Sequence, residues 1–293
     1  MAQVQANGID IEVETLGDSA DTPVLLIMGL GAQLTVWPDE FCAEFARRGH
    51  YVVRFDNRDV GLSQWFDDAG VPDMVELYEA GLAEEAVDAP YTLADMADDA
   101  AGVLDALSID SAHIVGASMG GMIAQRFAVN HPDRALSLTS IMSMPRFLPP
   151  DTEVTVVLMA PDPGTREGRI QAGVEASRLL AGKGFEFDED RVREFSAALI
   201  DRAWHPVGAS RQMAAIMGDG DRRPALAEVR VPTVIIHGTD DRLVVPQGAE
   251  ESAESIPGAE LVWIEGMGHN LPEETWPTIF DAVAGLVERT RGS

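Results

Sequence analysis

The chain has 293 residues, 46% of them hydrophobic and 24% charged, which supplies a full core and excludes a disordered chain. Its 21 basic and 49 acidic residues leave a net charge of −28, and no Lys/Arg cluster offsets it, so nucleic acid is excluded as a partner. The single cysteine, Cys42, excludes a disulfide scaffold and thiolate zinc sites.

The first ten residues carry neither a basic start nor a long apolar stretch, unlike a signal peptide. The longest apolar runs, Val24 to Met28 and Val231 to Ile236, are too short to span a bilayer. The expectation is a cytoplasmic protein without a membrane partner, and no oligomeric state is implied. Lys183 is the one lysine among the 21 basic residues. The acidity reads either as coding bias on a solvated surface or as adaptation to high salt, which screens carboxylate repulsion.

In chain order, Asn7-Gly8 reads as a hairpin turn before the alternating strand Ile9 to Glu14. Short continuous apolar runs then recur at Pro23–Met28, Tyr51–Phe55, Ala112–Val115, Leu136–Met142, Pro232–Ile236 and Ala259–Ile264. They suit strands buried on both faces of a parallel sheet. Helical spacing marks Pro38–Arg48, Leu93–Leu107, Met119–Asn130, Gln247–Ser255 and Glu274–Thr290, with a capping box at Thr92 and Asp95. Strands alternating with helices predict a mostly parallel, doubly wound α/β sheet. Two stretches break the alternation. Asp67 to Pro90 is a short acidic excursion, and Pro145 to Ala227 carries helical patterns and Pro-rich turns. The second reads as a helical insertion on the carboxyl edge of the sheet.

Gly116-Ala117-Ser118-Met119-Gly120 follows one of the strand runs directly and opens a helix. A G-x-S-x-G pattern at a strand-to-helix turn lifts the serine Oγ above the sheet, and glycines allow the sharp turn. Ser118 is the candidate nucleophile, and the N–H of Met119 is one arm of an oxyanion hole at the positive end of a helix. A serine needs a base. His50, His113 and His131 lie in or beside core elements, His205 is in the insertion, and His237 is inside a strand run. His269 sits in Gly266-Met267-Gly268-His269-Asn270, a glycine-bounded loop after a strand, and is the candidate base. The orienting acid follows the Pro232–Ile236 strand, where Asp240 and Asp241 stand side by side. The residues alone leave that choice open.

Gly116 to Gly120, His237 to Asp241 and Gly266 to His269 together resemble the α/β-hydrolase family across nearly the whole chain. Leu26 to Gly31, Phe55 to Ser63 and Gly266 to His269 look more narrowly like the aclacinomycin methylesterase-like carboxylesterases. The resemblance implies that the acid is the last residue of H-G-x-x-D, Asp241, and that Leu30 N–H is the second arm of the oxyanion hole. It implies a helical cap over residues 145–227 on a core of 1–144 and 228–293. Met28 stands where the family often has histidine, and Asp59 where many members have glycine. Asp56 and Arg58 are expected to buttress the loop after the first parallel strand.

Gly29-x-Gly31 lacks the third glycine of a dinucleotide fingerprint, and neither a phosphate loop nor an H-E-x-x-H metal helix is present. No cofactor or metal is implied. The expected activity is serine carboxylesterase action on small-to-medium apolar esters through an acyl-enzyme. The alternatives left open are lactone, thioester or C–C bond hydrolysis or perhydrolysis on the same triad, and a small-ligand receptor with slow hydrolase activity. Phe147, Leu148, Val156, Val157, Leu158, Met159, Phe185 and Trp204 are the insertion residues available to line an apolar pocket.

Overall fold

Asn7 and Gly8 both have positive φ, 51° and 79°, which is the geometry that a two-residue hairpin turn demands. They join β1 (Ala2–Ala6) to β2 (Ile9–Leu16) with Ala6 paired to Ile9. The strand before the turn, β1, was not singled out by the sequence pattern. The computed structural model describes residues 1–291.

The remaining strands are β3 (Thr22–Ile27), β4 (His50–Phe55), β5 (Ala112–Ala117), β6 (Ala135–Ile141), β7 (Thr233–Gly238) and β8 (Glu260–Ile264). They form one eight-stranded sheet in the order β1-β2-β4-β3-β5-β6-β7-β8. β1–β2 and β2–β4 pair antiparallel, and every later pair is parallel. β5 and β7 are buried at every residue, as a strand covered on both faces must be. β8 departs from the expectation of full burial. It is the edge strand, and Trp263 on it is exposed.

Alternate residues of β3 feed opposite layers, because side chains in a strand point to opposite faces. Leu25 and Ile27 pack with α3 (Leu93–Ala106) and α4 (Met119–Asn130). Val24 and Leu26 pack with α1 (Asp39–Arg47) and α11 (Trp276–Arg291). In the second layer Phe41 stacks on Trp37, 5.3 Å between centroids, and meets Phe280 at 4.8 Å. The α3 N-terminus is closed by the expected capping box, with Thr92 Oγ1 accepting from Asp95 N and Asp95 from Thr92 N.

Between β6 and β7 the chain builds α5 (Thr152–Leu158), α6 (Arg166–Leu180), α7 (Glu189–Arg202), α8 (Pro206–Gly218) and α9 (Arg223–Leu226). The acidic excursion after β4 contains α2 (Met74–Ala83), which packs its Leu77 against Ala214 and Met217 of α8. The helix α10 (Gln247–Ser255) separates β7 from β8. No helix among the described residues is long and apolar enough to cross a membrane.

Candidate active site

Ser118 lies between β5 and α4 with φ 57° and ψ −124°, a conformation that an L-residue holds only when its surroundings enforce it. The enforcement is local. Ser118 N–H donates to Ile141 O at 2.9 Å, and Ser118 O accepts from Gly121 N at 2.8 Å. A Cβ on Gly116 would overlap the carbonyl of Gly120, and one on Gly120 would overlap the carbonyl of Ile27. Both positions must therefore be bare for strand and helix to approach.

His269 Nε2 stands 3.0 Å from Ser118 Oγ, and its Nδ1 stands 2.7 Å from Asp241 Oδ2. A carboxylate only accepts, so Nδ1 carries the proton and Nε2 faces the serine hydroxyl as acceptor. Asp241 is buried, and its other oxygen, Oδ1, accepts from Leu243 N and Val244 N, each at 2.9 Å. Two amides on one oxygen and an imidazole on the other hold the carboxylate still.

Of the two adjacent aspartates, it is Asp241 that meets His269. Asp241 also takes the turn amides, and Asp240 turns away to accept from Lys183 N at 3.0 Å. His237 lies behind the pair, its Nε2 donating to Val244 O at 2.8 Å and standing 3.5 Å from Asp241 Oδ2. Burial holds the pKa of His237 below the ordinary histidine value, against the pull of Asp241 and of Val244 O.

The loop after β3 passes directly over the serine. A Cβ on Gly29 would meet Ser118 Cβ at 2.9 Å and Oγ at 3.3 Å. Buried side chains pin this loop: Asn57 Nδ2 donates to Met28 O at 2.8 Å, Gln212 Oε1 accepts from Gly31 N at 2.7 Å, and Asp56 Oδ1 accepts from Leu34 N at 2.6 Å. Asp56 buttresses as expected and also meets Arg202 of α7 at 2.8 Å. Arg58 forms a bidentate pair with Asp99 at 2.6 and 2.7 Å. Asp59, at φ 66°, receives Arg211, Tyr91 Oη and Phe66 N. Burial works against its carboxylate, yet those donors outweigh it and hold its pKa below the usual range.

A cavity of about 1380 Å³ opens above Ser118, with Leu30, Met119 and His269 in its wall. Residues 22–275 match the family model described as the alpha/beta hydrolase fold. The chain belongs to the α/β-hydrolase family. This α/β-hydrolase is 34% identical over 289 residues to the rhodomycin D methylesterase DauP of Streptomyces sp. strain C5, covering 88% of each chain. It is 33% identical to the rhodomycin D methylesterase DnrP of Streptomyces peucetius, again over 88% of each. Among solved structures it is similar to an enol-lactonase from Burkholderia xenovorans LB400, with a TM-score of 0.75 and 23% identity over 97% of this chain and 100% of that one.

In the α/β-hydrolase cavity, part of the apolar set of the insertion forms the upper wall. Phe147, Leu148, Leu158 and Met159 line it, whereas Val156 and Val157 face solvent and the half-buried Phe185 packs against the edge of the core. Trp204 is 40% exposed and sits under Arg169, 4.8 Å away. Met74 and Tyr78 of α2 also reach the cavity, as do Phe187 and Phe195. Nine of the twelve methionines line it, and no periodic pattern in the sequence marks them as a set. The other histidines are accounted for by structure, His50 through its Nδ1 contact with Thr22 O at 3.3 Å. His113 meets Ser137 Oγ at 2.8 Å, His131 meets Asp98 at 2.7 Å, and His205 stacks on Trp65 at 4.0 Å.

Proposed function

We propose that this α/β-hydrolase is a serine carboxylesterase working through an acyl-enzyme. The observation that carries the reading is the continuous hydrogen-bond chain Ser118–His269–Asp241, 3.0 and 2.7 Å, at the floor of an apolar cavity. Ser118 Oγ attacks the ester carbonyl while His269 Nε2 takes its proton, and Asp241 stabilises the imidazolium. The oxyanion rests on the N–H groups of Leu30 and Met119, the second at the positive end of α4. His269 returns the proton to the departing alcohol, and water activated by the same ring then releases the acid.

Residues 145–227 act as a cap on a core of 1–144 and 228–293. The cavity between them exceeds the usual range for a drug-sized ligand. Methionine side chains are soft and adaptable, which suits irregular apolar groups. The relatives' names denote removal of a methyl ester from rhodomycin D. A methyl or other small-alcohol ester of a bulky acid is the form of substrate this reading favours here.

The test is a series of p-nitrophenyl and methyl esters with lactones and thioesters alongside, combined with a phosphonylating reagent. Turnover on esters with one label per chain on Ser118 is expected. Labelling at another serine, or a single cycle per binding event, overturns the reading.

A further inference from the structure

The loop that carries His269 is gripped from outside by the segment joining α6 to α7, backbone against backbone. His269 N–H donates to the carbonyl of Leu180, the last residue of α6, at 2.8 Å. Gly184 N–H donates to Gly266 O at 2.9 Å, and Lys183 N–H to Asp240 Oδ2 at 3.0 Å. Contact this close requires bare Cα atoms on both sides. A Cβ on Gly182 would overlap Gly266 O and Gly268 N, and one on Gly268 would overlap Leu180 O and Gly182 N. From inside, the same loop rests on the end of β7, where Asp240 N donates to Met267 O at 3.0 Å and Thr239 Oγ1 accepts from Gly266 N at 2.8 Å.

Two glycines among residues 265–269 leave the loop little stiffness of its own. Its position is therefore set by what encloses it, and half of that enclosure comes from the insertion. We propose that residues 180–184 are a positioning element for His269: they fix where Nε2 stands relative to Ser118 Oγ. The insertion thereby contributes to the chemical step as well as to the choice of substrate. Asp240, adjacent to the orienting acid, is the tether that fastens this element to the core.

The inference rests on the reading of His269 as general base, and the two fail differently. If that reading fails, ester turnover survives His269→Ala. If only the inference fails, His269→Ala is inactive while the variants below are not.

The experiment measures kcat and KM on p-nitrophenyl acetate, too short to depend on the upper cavity wall, together with thermal unfolding. Gly182→Ala is expected to lower kcat about 10²-fold, because a displacement near 1 Å at a reacting group costs that much, with KM within about threefold. Val174→Ala, a cavity inside α6 away from the loop, is the control. It is expected to lower stability and leave kcat within about twofold. Asp240→Ala adds no volume and covers the case in which Gly182→Ala does not fold. It is expected to lower kcat about three- to tenfold at unchanged KM and to speed hydrogen exchange at the His269 amide. Equal kcat losses in Gly182→Ala and Val174→Ala would mean a merely structural role. So would a normal kcat in Asp240→Ala with the His269 amide still protected.

Discussion

The sheet and the two helices α6 and α7 of the insertion are built to different standards of burial. β5 and β7, which deliver Ser118 and Asp241, are buried at every residue. In the insertion, α6 buries only Ile170 and Val174, and α7 buries none of its residues fully. Core substitutions in the first region remove packed volume, which costs several kcal/mol and shifts neighbours. Most positions on α6 and α7 face solvent or the cavity, where such changes are usually small in stability. The sheet carries Ser118 and Asp241, and α6 and α7 help to enclose the cavity above them. The rest of the insertion reaches down: α8 is largely buried, with Arg211 on Asp59 and Gln212 on the loop after β3, and residues 180–184 meet the histidine loop.

The largest expected effect tests the sheet side. Ser118→Ala removes the proposed nucleophile while Ala fits the turn, so kcat should fall about 10⁴- to 10⁶-fold with unchanged melting, and phosphonate labelling should vanish. Asp241→Asn keeps the shape but favours the wrong histidine tautomer. It should cost about 10²- to 10⁴-fold in kcat, against less than about tenfold for Asp240→Asn. The reverse order at equal folding sinks the assignment of the acid.

Smaller effects probe the insertion. Phe147→Ala should change the ratio of kcat/KM between bulky and short esters about three- to tenfold, because Phe147 lines the cavity. Trp204→Ala should leave that ratio within about twofold, since Trp204 packs outside it under Arg169. A shift with Trp204→Ala and none with Phe147→Ala would mean that the room above Ser118 is shaped elsewhere.

Two stability measurements complete the contrast. His237 is held neutral by burial, so below about pH 6.5 the unfolded chain takes up a proton that the folded chain refuses. The stability this gives is full above that pH and is lost as pH falls. His237→Asn should therefore narrow the drop in Tm between pH 7 and 5.5 by about 2–4 °C. An unchanged drop assigns the acid sensitivity to other groups. The surface charge of −28 predicts the smallest effect: a rise in Tm of a few degrees between low and molar NaCl as carboxylate repulsion is screened. A Tm independent of salt leaves coding bias as the source of the acidity.

Much of this was legible in the chain itself. The apolar runs of the parallel strands, the Thr92 capping box, the Asn7-Gly8 turn and the glycines flanking Ser118 all encode structure through local sterics and period. Flanking glycines mark Ser118 and His269 as candidates in the sequence, and the structure brings the two within 3.0 Å. What separates Asp241 from Asp240 is which of two adjacent side chains faces the histidine, and that is decided by contacts with Leu243, Val244 and Lys183. The edge position of β8 depends on strand order, which apolar content does not specify. The cavity wall joins Met74, Phe147 and Phe195, and the histidine clamp joins residues 180–184 to 266–269. Each joins segments dozens of residues apart, so period and turn chemistry determined the elements, while packing between distant segments decided which of their side chains meet.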